Sequence, residues 1–407
     1  MSNPWVVLLG ADENCVTAAQ KEGFRVFLVQ KDTDFEPRAI EIADESLVAD
    51  YTKSEIVLPI LKSIISFRSV SGIWSFTEYG LMPAATYANS LGISGQSIKA
   101  VQLTRNKNAM RKRLEEIGVS PVKYAFCDNL DRAIKACVEI GYPAILKAVD
   151  GVHKLGLQLI NSEAELRKYF PEIQNNLNQK GVLIEEYLDG PEVSVEGIVI
   201  NGDPNIITLT DKEYIPPYFN ETSHSIPSLL PDSLQSEIRT ITSDILRSVN
   251  YELGMFHLEF RVTKKGPRII EGHTKPGGDR VWDLIKMVFD IDVYQLFFQA
   301  HSNQITRVSP TPSGGVSIKF FFQQPGIVKS ITNIDKAKLI PGVVDLQVQF
   351  KPGDIAPIPK RNDDRAGYVI AFSNLSTNEA RSIAKTALEM IEIETESEQS
   401  LKELVQV

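Results

Sequence analysis

Cysteine is scarce in this chain: three residues in 407, Cys15, Cys127 and Cys137. Their number is odd and their spacing fits no zinc-binding pattern, so neither a disulfide framework nor a structural zinc site is expected, and reduced thiols in a cytoplasmic protein are. A basic excess is also missing. Lys and Arg number 43 against 52 Asp and Glu, for a net charge of −9, which argues against nucleic acid as a partner. No apolar run approaches the roughly 18 residues of a membrane helix, so no membrane partner is expected. The opening run Trp5–Leu9 is too short for the apolar core of a signal peptide, and no basic segment precedes it. The turn after it, Gly10 to Asn14, lacks the GxGxxG spacing of a dinucleotide site and so speaks against an NAD enzyme. What is present, 43% hydrophobic and 23% charged residues, is the composition of a soluble enzyme of roughly two to four domains.

The first block alternates strand and helix. Strands are expected at 5–9, Arg25 to Gln30 and 72–76, with helices around Cys15 to Glu22, 55–67 and 80–91. A βαβ alternation of this kind predicts a doubly wound parallel sheet, a nucleotide-type fold without its own cofactor. Residues 97–127 read as mainly helical, and most of the basic run Arg105 to Arg113 reads as a solvated helix face. After Pro121 strands return, with a helix at 129–140 and a strand Pro143 to Val149. Lys147 lies inside that apolar strand and needs an anionic partner, either a carboxylate or a bound phosphate. The glycine-bracketed loop Asp150 to Leu157, with His153 and Lys154, could fold over phosphates with its backbone N–H groups.

The segment Phe256 to Glu271 carries the most chemistry. Two apolar runs flank Lys264-Lys265-Gly266-Pro267, a β-hairpin signature with Gly266 at the φ > 0 position. A three-residue loop at 264–266 puts Glu259 opposite Glu271, with Cβ atoms about 5 Å apart. Two bare carboxylates so close repel, so one takes a proton or a cation lies between them. Mg²⁺, which favours a few carboxylates plus phosphate oxygens, suits that position, with Mn²⁺ as a substitute. The alternative is a hairpin edge with unrelated acids. The loop that follows, Gly272-His273-Thr274-Lys275-Pro276-Gly277-Gly278-Asp279, brings a lysine suited to a phosphoryl group and glycines suited to close backbone approach.

The stretch Val182 to Gly197, Val-Leu-Ile-Glu-Glu-Tyr-Leu-Asp-Gly-Pro-Glu-Val-Ser-Val-Glu-Gly, completes a series. A strand lysine, a glycine-containing loop, an acidic strand end and a carboxylate-bearing hairpin, in this order from about Lys107 to Asp279, resemble the ATP-grasp superfamily. The chain is most similar to its carboxylate–amine ligases of the L-amino-acid (dipeptide) ligase type. Val343 to Ile393, with Asp364-Arg365-Ala366-Gly367, looks like the lid of biotin-carboxylase-type members.

The resemblance implies an α/β fold in four parts: a Rossmann-like domain over 1–96, a small ATP-grasp lobe with linker helices over 97–186, a large lobe with the metal site over 187–310, and a lid over 311–407. It implies that Lys107 and Lys147 contact ATP phosphates, and that the hinge Glu185, Glu186, Tyr187 and Leu188 offers the Glu186 C=O and Leu188 N–H to adenine. Glu192 would bond the ribose hydroxyls, and Glu259 and Glu271 would hold Mg²⁺. The segment Tyr214 to Pro227 would supply a substrate-facing loop with Glu221 and His224; a surface Ω-loop is the plainer reading. The chain departs from the family where Asn and Arg are usual, with His273 and Lys275. Imidazole is a poorer Mg²⁺ ligand than oxygen, and lysine lacks the arginine fork. His273 and Lys275 also count as substrate-contacting candidates, and Lys275 with Lys147 as catalytic ones.

The reaction implied is ATP-dependent activation of a carboxylate as an acyl phosphate, followed by attack of an amine, with positioning and charge neutralisation as the protein's part. Small-molecule carboxylate and amine substrates are the partners implied, and a homodimer is compatible. Two other classes stay open: a ligase that loads an amino acid onto a carrier protein, and a non-catalytic nucleotide-binding relative.

Overall fold

The run Trp5–Leu9 is buried along its whole length and forms the central strand of a five-stranded parallel sheet in the computed structural model, which describes residues 3–33, 35–149, 156–176, 180–216 and 219–396. The strand order is Glu45–Val48, Arg25–Gln30, Trp5–Leu9, Val70–Trp74, Ser94–Gly95. Helices cover both faces, so the inner strands are continuously apolar rather than alternating. The chain reverses direction across the sheet beside Trp5–Leu9, and that is where such sheets open a crevice at the carboxyl ends of their strands. Val70–Trp74 ends two residues before the expected 72–76, because Ser75 leaves the ladder to donate its hydroxyl to Leu9 O at 2.7 Å. Glu78 follows in that loop.

Two helices, Ile98–Arg105 and Lys107–Glu116, lead to a four-stranded antiparallel sheet ordered Tyr124–Cys127, Val182–Glu186, Ala144–Ala148, Gln158–Ile160. Helices Leu130–Ile140 and Glu163–Asn176 pack against one face through Ala133, Leu166, Phe170, Leu146 and Ile184. Strand alternation then leaves Ile145, Lys147 and Glu185 on the other face.

The largest sheet has eight strands. In order they are Gly266–His273, Gly254–Thr263, Glu192–Ile200, Asp203–Ile215, Asn220–Ile226, Gly315–Phe321, Gly367–Ser373 and Val343–Val348. Helix Asp232–Ser248 seals one face with Ile238, Ile245 and Leu246 against Val195, Leu258 and Phe260. The last three strands belong to the C-terminal part. They extend the large-lobe sheet through main-chain pairing such as Ser225 with Ser317, while a separate three-stranded sheet holds Gly326–Thr332, Ile355–Ala356 and Glu392–Glu396.

The segment Tyr214 to Pro227 is not the expected loop. Its core is the strand Asn220–Ile226, paired on both sides, so Glu221 and His224 are fixed by two ladders. Of the phosphate loop expected at Asp150 to Leu157, residues 150–155, with His153 and Lys154, lie outside the described residues. Among the described residues, no helix is long and apolar enough to cross a membrane.

Candidate active site

Asn106 caps helix Lys107–Glu116, accepting the Ala109 N–H at 2.9 Å, so that Lys107 opens the first turn. The Lys107 N–H reaches Val149 O at 3.0 Å and ties the helix start to the end of the strand bearing Lys147. One turn on, Arg111 points the same way. Its guanidinium grips Glu185 at 2.5 and 3.0 Å and donates to Ile269 O at 2.8 Å, while Lys147 Nζ lies 2.7 Å from the same carboxylate. Burial pushes the Glu185 carboxyl up, but Arg111 and Lys147 overcome it and hold it at about 2. Glu185 is therefore a buried counter-ion rather than an open hinge residue, and Arg111, at 4% exposure, is not on the solvated face the basic run suggested.

Glu259 and Glu271 do face each other across the hairpin ladder, by a different route from the one expected. The loop has two residues, Lys264 and Lys265, and Thr263 pairs with Gly266, whose φ is +94°. That register alone would place Ile270 opposite Glu259. A bulge between Glu259 and Phe260 absorbs one residue and restores the carboxylate pair. Glu271 is met by Lys107 at 2.8 Å and Glu259 by Lys212. Burial raises both carboxyls; Lys107 and His273 bring Glu271 below its ordinary value, and Lys212 with His257 bring Glu259 well below.

Sequence reasoning missed Lys212. It is buried on the strand Asp203–Ile215 among three carboxylates, Glu259, Glu221 at 3.0 Å and Glu192 at 3.6 Å. Burial would lower its ammonium, but Glu221, Glu259 and Glu192 raise it well above the usual lysine range. Glu192 has a second cation, Arg261, at 2.9 Å. The pair His257 and Glu196 was also missed. The buried imidazole lies 2.9 Å from Glu196 and 3.2 Å from Glu259, and it is raised to about 9 because Glu196 and Glu259 outweigh its burial. Gly277 packs on this pair: a Cβ there would come 2.8 Å from His257 Nδ1. That glycine serves side-chain packing rather than approach to a ligand.

The N-terminal crevice closes the site. Glu78 meets Arg105 at 3.2 Å, His273 at 3.7 Å and Lys275 at 4.0 Å. Burial raises Glu78, but His273, Lys275 and Arg105 bring it to about 2. His273 is also 3.6 Å from Glu271 and stacks on His257 with centroids 6.0 Å apart. Beyond Lys212, the 1%-exposed His224 lies 3.7 Å from Glu221 and 3.6 Å from Asp279, and neither ring nitrogen makes a hydrogen bond among the described residues. Arg365, lying over the Phe320 ring, and Asn362 reach in from the C-terminal part to Asp279 and Glu221.

Along the hinge, Glu186 accepts the Lys123 N–H at 2.7 Å and Tyr187 N–H donates to Pro143 O at 3.3 Å. A cleft of about 650 Å³ borders Glu186 to Asp189, Arg111, Tyr124 and the hairpin turn. Lys147, Glu192, Glu259 and Glu271 do not line it, so it is distinct from the charged cleft between the lobes.

Three family profiles match along the chain: the ATP-grasp N-terminal domain over 16–95, the ATP-grasp domain over 140–281, and the L-amino acid ligase C-terminal domain 2 over 319–396. The chain therefore carries an ATP-grasp domain, with the N-terminal domain that accompanies it and a C-terminal domain of the L-amino acid ligase type, and its similarity runs to amino-acid ligases. It is 28% identical over 334 residues to the uncharacterized protein y4rH of Sinorhizobium fredii, covering 79% of this chain and 68% of that one. It is 28% identical over 288 residues to an alanine–anticapsin ligase of Bacillus subtilis, covering 65% of this chain and 60% of that ligase's length. The fold matches that of the L-amino acid ligase from Bacillus licheniformis with a TM-score of 0.81 at 19% identity, over 98% of this chain and 100% of the other.

Proposed function

We propose that this protein activates the carboxylate of an amino acid with ATP, as an acyl phosphate, and joins it to an amine, releasing ADP and phosphate. The observation that carries this is the carboxylate pair Glu259 and Glu271, each held by a lysine from a different element, Lys212 from the large lobe and Lys107 from the linker helix. Two oxygen-donor side chains facing each other across a ladder suit a hard divalent ion. Glu259 and Glu271 would hold Mg²⁺, or Mn²⁺ in its place, which supplies positive charge to the phosphates when bound.

The chain's own residues do the rest. Lys107 and Lys147 face the phosphate path from the small-lobe side, and Lys212 runs between the metal carboxylate and Glu192, where the ribose hydroxyls belong. The Leu188 N–H makes no hydrogen bond among the described residues, which suits it to the adenine edge. Glu78 holds both Lys275 and His273, and His273 lies beside Glu271, where charge would develop on the acyl phosphate. Glu221, His224 and Asp279, with Arg365 and Lys212 beside the two carboxylates, form the polar recess that would receive an amino-acid substrate. Incubation with an amino acid labelled with ¹⁸O in its carboxylate tests the reading. One ¹⁸O per turnover should appear in the released phosphate; unlabelled phosphate would exclude an acyl-phosphate route.

A further inference from the structure

Arg261 lies two positions from Glu259 on the strand Gly254–Thr263, so strand alternation puts both on the face bearing the carboxylates. Arg261 is 6% exposed, and both terminal nitrogens of its guanidinium have partners. It lies 2.9 Å from Glu192 Oε2, donates to Gly190 O at 3.0 Å and to the Tyr214 hydroxyl, and rests over the Tyr214 ring at 4.0 Å. Across the ladder Arg261 faces Arg268, a like-charged pair that a strand position normally avoids.

The reason for that arginine is visible in the surrounding charge. Carboxylate oxygens of Glu192, Glu221 and Glu259 all lie within 4.8 Å of one another. Lys212 is within hydrogen-bond reach of Glu221 and Glu259 but stands 3.6 Å from Glu192 Oε1. The orientation of Glu192 is thus set by Arg261, which takes Oε2 and leaves Oε1 beyond hydrogen-bond range of Lys212. With its other terminal nitrogen held by Gly190 O and the Tyr214 hydroxyl and its plane seated on the tyrosine ring, the guanidinium fixes the position of that one oxygen more firmly than a flexible ammonium would.

We propose that Arg261, seated on Tyr214, is the positioning residue that presents the Glu192 carboxylate to the ribose, and so sets the preference of this protein for ribonucleotides over deoxyribonucleotides. The proposal rests on the reading that Glu192 contacts the ribose hydroxyls. Its role is orientation, so it affects nucleotide affinity and sugar selectivity, not the chemical step.

Calorimetric titration of the full chain with ATP, 2′-deoxy-ATP and 3′-deoxy-ATP, each with Mg²⁺, reads this without turnover. Wild-type protein should bind ATP roughly tenfold tighter than at least one deoxy analogue, the worth of one charge-assisted hydrogen bond. Arg261→Ala and Arg261→Lys should both lose that preference, with ATP falling to the affinity of the analogue and the analogue nearly unchanged. Tyr214→Phe, which deletes a single hydroxyl, should lose part of it and serves if the arginine variants fold poorly. Glu192→Ala should abolish the preference. If Glu192→Ala keeps it, the ribose reading of Glu192 fails and the proposal with it. If Glu192→Ala abolishes it while both arginine variants and Tyr214→Phe retain it in full, Arg261 alone is excluded.

Discussion

The two lobes that meet at the cleft balance their buried charges in opposite senses. On the small-lobe side two cations, Arg111 and Lys147, share the carboxylate of Glu185. On the large-lobe side five carboxylates, Glu192, Glu196, Glu221, Glu259 and Asp279, share four cations, Lys212, Arg261, His257 and Arg365. The first arrangement leaves positive charge over and the second leaves negative charge over. In a low-dielectric cleft such imbalances matter, because fixed charges act there far more strongly than in water. A triphosphate matches the positive side, and a divalent ion matches the negative side. Under the proposed function, that difference would orient the nucleotide, with its phosphates towards the small lobe and the ion towards the large lobe.

The strongest way to break this comparison is to remove the negative side. Glu271→Ala and Glu259→Ala should each cut ATP turnover by on the order of a thousandfold, with the circular-dichroism spectrum unchanged. If both carboxylates hold one ion, the double variant should be little worse than either single one; independent, multiplying losses would argue against a shared ion.

A smaller effect is expected at Lys275, where charge appears only during reaction. Lys275→Ala should lower kcat by about a hundredfold, as loss of one oxyanion-type donor does, while ATP affinity measured by calorimetry holds. Lys275→Arg should keep or partly restore activity through its fork. Full activity in Lys275→Ala would move the catalytic cation elsewhere.

The positive side can be tested through stability. Glu185→Gln leaves Arg111 and Lys147 without their buried counter-ion and should destabilise the fold by about 3–5 kcal/mol at neutral pH, measured by urea unfolding. The pH dependence has a definite sign. The folded carboxyl sits at about 2, below the ordinary 4.5 of the unfolded chain. Its stabilisation is therefore present above 4.5 and is lost as pH falls from there towards 2. The gap between wild type and Glu185→Gln should narrow over that range; a constant gap would mean that the carboxylate charge is not what holds the cluster.

The smallest effect sharpens the contrast between buried and surface charge. Arg132 and Asp128 pair at 2.8 Å one helical turn apart, both well exposed. Arg132→Ala should leave the unfolding midpoint unchanged within error, since solvent and salt screen such pairs.

Much of the fold was legible because its signals are local. The βαβ alternation, the strand with Lys147 and the hairpin with Glu259 and Glu271 all follow from short patterns. Yet the hairpin pairing came out through a two-residue loop and a bulge, and bulges leave no dependable mark in a single sequence. The partners of the site were harder to see. Glu78, Lys212, Glu196, His257 and Arg261 carry no motif and meet only when strands distant in sequence pair, or when the N-terminal sheet closes on the large lobe. The signal that singled out Lys147, a lysine inside an otherwise apolar strand, is absent at Lys212, which stands between Asp211 and Glu213. The Tyr214 to Pro227 segment reads as a loop from its place in the resembling ligases, whereas two neighbouring strands hold its core extended. The attachment of the C-terminal strands to the large-lobe sheet depends on edge pairing, which alternation of side chains cannot specify.

The central claim is that the oppositely charged lobes clamp Mg²⁺ and ATP so that phosphoryl transfer to an amino acid drives amide formation. Simultaneous measurement of ADP and of condensation product, by mass spectrometry over a panel of L-amino-acid pairs with ATP and Mg²⁺, tests it most directly. One ADP should form per amide, only with particular pairs, and neither product should accumulate with Glu271→Ala. ADP released at the same rate whatever amino acids are present, or amide formed undiminished by Glu271→Ala, would contradict the account.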